Sequence, residues 1–281
     1  MSAASSSKPL EGKTMLMSGG SRGIGLAIAL RAARDGANVA ILAKTAEPHP
    51  RLEGTIHTAA AEIDAAGGRA LPIVGDVRDE QSIEGAVAAT VEKFGGIDIV
   101  VNNASAIDLS PSTDLPAKKF DLMQQIEVRG TFLLTRAAIP HLRQSGHAHI
   151  LTLSPPLNLS DRWLGSCVGY MLAKYGMTLA ARGFAAELKD DGIASNTLWP
   201  RTIIATAAVQ NLLGGDAAMA RSRTPAIMGD AAHAILSQPP MERTGRELID
   251  DEVLAAAGIT DLSCYEYGDG SELQTDIFLD G

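Results

Sequence analysis

The chain of 281 residues is long enough to bury a hydrophobic core of domain size, and no linker interrupts residues 13–281. Hydrophobic residues make up 46% of the sequence, but each apolar run is broken before the roughly 18 residues that a membrane-spanning helix needs, so no membrane span is expected. A net charge of −9 disfavours contact with a phosphate backbone, so nucleic acid is not an expected partner.

Short β-branched runs alternate with longer alanine-rich stretches, a pattern typical of successive βαβ units. The predicted strands are residues 14–18, 38–43, 70–74, 97–101, 149–153, 193–198 and 247–250. The predicted helices, with apolar residues every three or four positions, are 23–34, 55–66, 79–94, 117–142 and 169–190. The sequence therefore predicts an α/β fold, a doubly wound (Rossmann) seven-stranded parallel sheet with helices on both faces.

The domain boundaries follow from composition. Residues 1–11 are expected to be a disordered lead-in, because their start is rich in serine and alanine and matches no leader peptide. Residues 12–281 are expected to form one dinucleotide-binding catalytic domain, with 251–281 as a C-terminal extension that packs on it or on a neighbouring subunit. Cys167 and Cys264 lie far apart without a CxxC partner, which suits a reducing cytoplasm, the expected location.

A glycine-rich turn, Gly19-Gly20-Ser21-Arg22-Gly23-Ile24-Gly25, follows the first predicted strand and opens the first helix. Glycines at 19, 23 and 25 allow a tight turn and close approach of a phosphate, and the helix N-terminus offers free N–H groups. The turn predicts a pyrophosphate site formed by Gly19, Ser21, Arg22, Gly23, Ile24 and Gly25. An ordinary glycine-rich βα turn is the alternative interpretation.

The end of the second predicted strand bears on the choice of cofactor. A ribose with a free 2′-hydroxyl calls for an acidic residue there, but the sequence has Ala43-Lys44-Thr45. Lys44 and Arg22 could both pair with a 2′-phosphate, so NADP(H) is preferred over NAD(H). A merely solvated Lys44 is the alternative.

Tyr170 and Lys174 lie four residues apart on a predicted helix and therefore share one face. A phenol with a pKa of about 10 is a poor base at neutral pH, but a nearby ammonium and an oxidised nicotinamide lower that pKa. Tyr170 is therefore predicted to exchange a proton with the substrate. A partly buried tyrosine beside an unrelated surface lysine is the alternative.

The glycine turn, Asp76-Val77, Asn102-Asn103-Ala104 and residues 170–174 together resemble the short-chain dehydrogenase/reductase family over about residues 12–250. The resemblance implies that Tyr170 donates or accepts a proton and that Lys174 holds the nicotinamide ribose. It also implies cofactor contacts from Asp76, Val77, Asn102, Ala104, Pro200, Ile203 and Thr206. Residues 44–50, 154–159 and 198–202 resemble one subgroup, some members of which append a sterol-carrier domain that these residues do not contain.

The sequence departs from the family pattern at the serine that polarises the substrate oxygen. Ser154 lies farther from Tyr170 than the family spacing, and Pro155 is a candidate occupant of the usual site. An insertion near residues 158–163 could return Ser154 to the pocket, or Ser166 could serve instead. A turn hydroxyl at the end of a strand is the alternative interpretation of Ser154.

A second departure is Glu127, which stands where the resemblance implies a proton-relay asparagine. A carboxylate at this position could neutralise the Lys174 ammonium or accept protons itself. An exposed glutamate on a helix is the alternative.

Several other side chains are candidates for ligand contacts. His147 and His149 face one side of a predicted strand, but no third ligand is evident, so a solvent-exposed pair is favoured and no metal is predicted. Trp163 and Trp199 could contact an apolar substrate or pack in the core. Residues 44–54 and 199–225 are predicted functional loops, and residues 203–225, with Gly214 and Gly215 as a candidate hinge, could close over a lipophilic ligand.

The sequence thus predicts an oxidoreductase that transfers a hydride between NADP(H) and a ketone or secondary alcohol, with a lipid- or steroid-like substrate. The expected partner is a small-molecule carbonyl or alcohol. The resemblance implies a homo-oligomer, a dimer or tetramer, associated through residues 117–142 and 169–190. A nucleotide-binding sensor with impaired catalysis is the alternative function, motivated by Pro155 and Glu127.

Overall fold

The computed structural model describes residues 8–48, 54–212, 214–268 and 270–280. Its strands are β1 (Thr14–Ser18), β2 (Asn38–Ala43), β3 (Arg69–Val74), β4 (Ile99–Asn102), β5 (His149–Thr152), β6 (Ala194–Trp199) and β7 (Glu247–Ile249). They form one sheet in the order β3-β2-β1-β4-β5-β6-β7, and every neighbouring pair is parallel. The predicted seven-stranded parallel sheet is confirmed.

The helices connect successive strands. They are α1 (Gly23–Ala33), α2 (Ile56–Ala65), α3 (Glu80–Phe94), α4 (Ala117–Met123), α5 (Gly130–Leu142), α6 (Asp161–Leu164), α7 (Val168–Glu187), α8 (Ala207–Leu212), α9 (Gly215–Met219), α10 (Ala226–Leu236) and α11 (Asp250–Ala256). A π-helical turn, Gln124–Arg129, joins α4 to α5, and short 3₁₀ turns occupy Pro240–Glu242 and Ser263–Tyr265. No helix in the described part of the chain has the length and apolar character needed to cross a bilayer.

Alternate residues of the strands enter two separate cores. Met15 and Met17 of β1 pack with residues of α1, α2, α10 and α11, whereas Leu16 packs with residues of α3 and α5 on the opposite face. This alternation follows from the two-residue period of a β-strand. Burial on both faces explains why the strands are nearly continuous runs of apolar residues, and it confirms the helices predicted on both sides of the sheet.

The order of the strands indicates where in the sheet a ligand site is expected. The chain runs outward from β1 through β2 to β3, and then returns to β4 on the other side of β1. In open α/β sheets the crevice forms at such a switch point, outside the carboxyl ends of the strands. The glycine turn after β1 and the Asn102-Asn103-Ala104 segment after β4 therefore meet at this edge.

The structure differs from the sequence predictions in a few elements. Residues 117–142 are α4, the π-helical turn and α5 rather than one regular helix, and α10 was not predicted. The folded chain also begins before residue 12, because Leu10 is fully buried and its N–H donates to Asp35 Oδ2 (3.3 Å). Residues 1–7 of the predicted lead-in and residues 49–53 of the predicted loop 44–54 lie outside the described residues.

The predicted extension packs on its own domain. Val253 and Leu254 of α11 enter the core beside α10. Residues 270–280, here called the C-terminal segment, run beside the loop after β6: the Ile203 N–H donates to the Gln274 carbonyl and the Asp276 N–H donates to the Arg201 carbonyl, both at 3.0 Å. This segment therefore reaches the carboxyl edge of the sheet.

Candidate active site

A cavity of about 1680 Å³ opens at the carboxyl ends of the central strands. The glycine turn, the ends of β2 and β3, the loop after β4, helix α7 and the loop after β6 all contribute to its walls. The predicted residues that line this cavity are Gly19, Ser21, Arg22, Gly23, Ile24, Gly25, Lys44, Asp76, Val77, Ala104, Tyr170, Lys174, Pro200 and Thr206. One cleft therefore brings Tyr170 and Lys174 together with most of the residues predicted to bind the cofactor.

The backbone of the glycine turn packs so closely against its neighbours that a side chain would not fit at two of its positions. A Cβ atom on Gly19 would lie 2.9 Å from the Ala104 Cα, and one on Gly25 would lie 2.6 Å from the Gly19 carbonyl oxygen. Gly19 and Gly23 also have positive φ angles of 76° and 56°. Arg22, at the N-cap of α1, makes no capping hydrogen bond with its side chain. The first N–H groups of α1 thus remain available to the cleft, a donor set that fits a pyrophosphate.

Asn103 holds the turn against β4. Its side-chain amide donates to the carbonyl of Gly19 (2.8 Å), and its backbone N–H donates to Ser18 Oγ (3.1 Å). The predicted Asn102 instead points away from the cleft, is 1% exposed, and donates to Thr135 Oγ1 (3.0 Å). Asn103 rather than the predicted Asn102 therefore lines the cleft, because successive side chains of an extended chain face opposite sides.

A similar correction applies after β6. The predicted Ile203 does not line the cavity but packs with Val209 and Ala218, whereas its neighbour Ile204 does line it. Helices α8 and α9 occupy the predicted loop 203–225, and Gly214 and Gly215 join them with positive φ angles. A hinge at these glycines stays a prediction.

Several cationic side chains lie near the end of the cleft formed by β2 and β3. Lys44 Nζ lies 3.4 Å from Asp76 Oδ2, and its side chain is 57% exposed. Hydrogen bonds from Arg78, aided by Lys44, lower the pKa of Asp76 to about 2. Arg22 donates to the carbonyl of Gly54 (2.7 Å) from the other side of the cleft. Two cations, Lys44 and Arg78, thus pair with the Asp76 carboxylate, and Arg22 lines the same cleft.

The opposite end of the cleft holds Tyr170 and Lys174, which both project from α7. The side chain of Lys174 is 4% exposed, and its Nζ donates to the Leu153 carbonyl (3.2 Å). The same Nζ lies 3.6 Å from Glu127 Oε2 and 5.8 Å from the centre of the Tyr170 ring. The ammonium therefore sits between a phenol and a carboxylate.

Glu127 is fully buried, so its interpretation as an exposed helix residue is wrong. It lies in the π-helical turn between α4 and α5, a kind of distortion that is frequent at functional sites. Its Oε1 accepts hydrogen bonds from Ser105 Oγ and the Ala106 N–H, both at 3.1 Å. Burial raises the pKa of Glu127, and the neighbouring Lys174 ammonium opposes that rise.

The environment of Tyr170 raises the pKa of its phenol well above the ordinary value. Burial is the largest cause, and the carboxylates of Glu127 and Asp276 add to it. The spacing of Tyr170 and Lys174 predicts a lowered phenol pKa, but the surrounding protein raises that pKa instead. The physical reason is that burial disfavours the charged phenolate, and the Glu127 carboxylate adds to this effect while it pairs with the Lys174 ammonium.

Comparison with known proteins agrees with this geometry. The family profile described as short chain dehydrogenase matches residues 13–215. The chain belongs to this short-chain dehydrogenase/reductase family. Membership predicted from the glycine turn and residues 170–174 is thereby confirmed.

The relatives also identify the subgroup that three segments of the sequence resemble. Hydroxysteroid dehydrogenase-like protein 2 is 55% identical in Xenopus tropicalis and 51% identical in Homo sapiens, over 96% of this chain. The chain spans 64% of the length of each of these relatives. A crystal structure of a short chain dehydrogenase from Mycobacterium thermoresistibile is 61% identical, covers 96% of each chain and superposes with a TM-score of 0.92.

Ser154, the predicted substrate-polarising serine, does not line the cleft. It is fully buried and is hydrogen-bonded to Thr178 Oγ1 (2.9 Å). Ser166 also lies outside the cleft and donates to the Trp163 carbonyl (3.3 Å). Ser105, which directly follows the Asn102-Asn103-Ala104 segment, does line the cleft. The predicted catalytic role of Ser154 is therefore not supported, because its hydroxyl is turned into the core.

The C-terminal segment contributes residues that sequence reasoning missed. Asp276 and Ile277 line the cleft, and Phe278 stacks on the Tyr170 ring with centroids 6.2 Å apart. Burial raises the pKa of Asp276 to about 7, although its Oδ1 accepts a hydrogen bond from the Ile277 N–H (2.7 Å). No local sequence motif identifies these residues, because they are distant from Tyr170 in the sequence and only the folded chain brings them close to it.

The contacts of the candidate histidine and tryptophan side chains show where each of them lies. His149 is buried rather than exposed to solvent, and its Nε2 lies 3.1 Å from the Gln238 carbonyl oxygen. Among the described residues no group of three or more side chains is arranged to hold a metal ion. Trp199 lines the cleft, whereas Trp163 packs against Phe278 outside it.

Proposed function

We propose that this protein is an NADP(H)-dependent oxidoreductase that interconverts a ketone and a secondary alcohol. The observation that supports the proposal is a cleft with the glycine turn, here called the glycine cradle, at one end and Tyr170 beside Lys174 at the other. When bound, the nicotinamide supplies or receives the hydride. The chain then has to bind the cofactor, orient the substrate and move one proton.

Tyr170 is the group that exchanges the proton. Its raised pKa keeps the phenol protonated at neutral pH, so the side chain is ready to donate to the oxygen of a bound carbonyl. Lys174 is positioned by the Leu153 carbonyl and Glu127 to hold the nicotinamide ribose.

The charges near β2 and β3 support NADP(H) over NAD(H). Arg22 and Lys44 line the cleft, and strand β2 ends without an acidic residue at positions 43–45 that would hold a free 2′-hydroxyl. Asp76 lines the same region but is paired with Arg78 and Lys44. A 2′-phosphate would therefore meet a surplus of positive charge.

An apolar carbonyl substrate, lipid- or steroid-like in character, suits the walls around Tyr170. Ile107, Leu109 and Ile277 line the cavity and pack against the aromatic cluster that includes Tyr170 and Trp199. Such walls stabilise a substrate mainly by burying its apolar surface. The name of the relatives, hydroxysteroid dehydrogenase-like protein 2, is compatible with this class.

A homo-oligomer is also part of the proposal. Phe132 on α5 and Leu172 and Leu179 on α7 are large apolar side chains that are 47%, 47% and 59% exposed. These are the helices through which the family resemblance implies association. Light scattering of the purified chain tests this point, and a monomer at micromolar concentration contradicts it.

The decisive experiment follows NADPH absorbance while the protein is incubated either with NADPH and a panel of ketones and aldehydes, or with NADP⁺ and a panel of secondary alcohols. We expect consumption of NADPH with at least one apolar ketone. A nucleotide-binding sensor is the second candidate, favoured by the Glu127–Lys174 ion pair and by Pro155. Tight binding of NADPH without any turnover would support the sensor and reject the oxidoreductase.

A further inference from the structure

Phe278 of the C-terminal segment is the centre of an aromatic cluster that includes Tyr170. Its side chain is fully buried. The centroid of its ring lies 5.1 Å from that of Tyr175, 5.9 Å from Trp163, 6.2 Å from Tyr170 and 6.3 Å from Trp199. Aromatic pairs at such distances attract one another beyond the apolar area that they bury. One side chain therefore joins Tyr170 to three other rings.

The backbone of Phe278 has a conformation that phenylalanine rarely adopts. Its φ angle is 70°, and no other non-glycine residue that the structure describes has a positive φ. A bulky residue in this left-handed region is strained, and such strain persists only where the surrounding structure holds it. Trp199 Nε1 donates to the Ile277 carbonyl (3.1 Å), and Trp163 Nε1 donates to Asp280 Oδ1 (3.0 Å). Hydrogen bonds on both sides of Phe278 thus keep its ring in place.

The Tyr170 ring lies nearly parallel to the ring of Phe278. The angle between the two ring planes is 24°, and the Tyr170 side chain is 4% exposed. Phe278 itself does not line the cleft, whereas Tyr170 does. Any effect of Phe278 on the reaction therefore passes through the rings that it contacts, and of these Tyr170 bears the hydroxyl that exchanges the proton.

We propose that Phe278 is a positioning residue, whose ring holds the Tyr170 ring in the direction from which its hydroxyl reaches the oxygen of a bound carbonyl. This inference rests on the proposed oxidoreductase function. Proton transfer requires the phenol oxygen and the substrate oxygen to lie within hydrogen-bond distance. A Tyr170 ring that is free to turn would spend less time in that geometry, and small misplacements of reacting groups cost large factors in rate.

The test is Phe278→Leu, which keeps apolar bulk but removes the flat ring, with Leu279→Ala as the matched control. Leu279 is the next residue, is 7% exposed, and does not line the cleft. We expect kcat to fall roughly 10-fold to 100-fold in Phe278→Leu, while KM and the Kd for NADPH stay within error of wild type. Phe278→Met, which fills the same space with a flexible side chain, should show the same loss. Leu279→Ala should retain kcat.

A double variant separates positioning of the phenol from a general loss of stability. If Phe278 acts through the Tyr170 hydroxyl, adding Phe278→Leu to Tyr170→Phe should lower kcat no further. A further loss of about 10-fold in the double variant shows that Phe278 acts through another group and overturns the proposal. An equal loss of kcat in Leu279→Ala overturns it as well.

A second measurement does not depend on turnover. The chain has four tyrosines, so the fluorine-19 NMR signals of protein labelled with 3-fluorotyrosine can be assigned with Tyr170→Phe. A held ring gives a separate signal for each of its two orientations, and we expect these signals of Tyr170 to merge in Phe278→Leu, because the ring turns over faster. Leu279→Ala should keep the wild-type spectrum.

The two measurements distinguish failure of this inference from failure of the proposed function. An unchanged Tyr170 fluorine signal in Phe278→Leu overturns the positioning role, whatever the activity of the wild type. If the wild type binds NADPH but consumes none, the proposed function fails. The fluorine spectra then still decide whether Phe278 holds the Tyr170 ring.

Discussion

The two ends of the cleft are built in different ways. At the end lined by the glycine turn, Gly19 and Gly25 meet Ala104 and Asn103 through contacts so close that a Cβ atom would not fit. At the other end, here called the reactive end, burial raises the pKa of Tyr170 and the carboxylates of Glu127 and Asp276 add to that rise. The first end therefore depends on the space around the backbone, whereas the second depends on burial and charge.

This difference separates binding from chemistry. Substitutions that fill the glycine cradle should weaken the cofactor complex without changing how Tyr170 ionises. Substitutions at the reactive end should change the rate and its pH dependence while the cofactor still binds. Four variants test this difference between the two ends.

The largest effect is expected for Tyr170→Phe, which removes the proton donor and keeps the ring that stacks on Phe278. General acid catalysis typically contributes 10²–10⁴-fold, so we expect kcat to fall by about 10³-fold with little change in the Kd for NADPH. Steady-state kinetics and fluorescence titration with NADPH measure the two quantities.

Tyr175→Phe is the matched control for this variant. Tyr175 is the next tyrosine along α7, but its hydroxyl donates to the Asn158 carbonyl (2.6 Å) and it does not line the cleft. We expect it to retain kcat. Consumption of NADPH at the wild-type rate by Tyr170→Phe would remove the phenol from the mechanism.

The next effect is expected for Gly25→Val in the glycine cradle. Its Cβ would lie 2.6 Å from both the Gly19 carbonyl oxygen and the Asn103 amide nitrogen, so the turn must shift away from its phosphate-binding shape. Loss of several charge-assisted hydrogen bonds predicts a Kd for NADPH that rises by about 100-fold or more. Isothermal titration calorimetry measures it.

Gly183→Ala serves as the comparison for Gly25→Val. Gly183 lies on α7 with no heavy atom within 4 Å of the added Cβ, and alanine favours helix over glycine. We expect unchanged affinity and equal or higher stability. Equal NADPH affinity in Gly25→Val and wild type contradicts the assignment of the cradle.

A smaller effect is expected for Asp276→Asn in the C-terminal segment. The sign of its effect on the pH dependence of stability follows from the pKa of Asp276. The folded pKa of about 7 lies above the ordinary aspartate value of about 3.9, so the native state holds its proton longer than the unfolded state does. Stability from this group is complete below about pH 4 and is lost as the pH rises through about 7. Asp250, Lys174 and Tyr170 are the other ionisable groups that act on it.

The asparagine variant removes that loss. We expect its unfolding temperature to match wild type near pH 4 and to exceed it by a few degrees at pH 8. The exposed Asp280→Asn should show no such gain at high pH. A constant difference across this pH range contradicts a protonated Asp276. The variant also tests charge at the reactive end, because removing one carboxylate should lower the pKa of Tyr170.

The same contrast explains what the sequence could predict. The glycine turn, Asp76-Val77 and residues 170–174 are local patterns, and the alternation of strands and helices is enough to bring them to one edge of a parallel sheet. Asn102 and Ile203 were misplaced by one position because side-chain direction depends on register. Ser105 follows a recognised motif and could have been considered, whereas Asp276 depends on the path of the C-terminal segment, for which no local pattern exists.

The smallest effect is expected for Lys44→Ala at the cofactor end. Lys44 is more than half exposed and already paired with Asp76, so solvent and that carboxylate reduce its interaction with a 2′-phosphate. We expect the Kd for NADPH to rise roughly 3-fold to 10-fold, while the Kd for NADH stays nearly constant. Titrations at two salt concentrations should show that the loss shrinks as salt screens the charges.

Lys189→Ala, which removes an exposed lysine remote from the cleft, controls for the change in net charge. If Lys44→Ala weakens NADPH and NADH equally, Lys44 contributes general attraction rather than recognition of the 2′-phosphate. Recognition would then rest on Arg22, a residue of the glycine turn whose side chain donates to the Gly54 carbonyl. That result would move cofactor choice from the end of β2 into the glycine cradle itself, so one backbone turn would determine both affinity and selectivity at this end of the cleft.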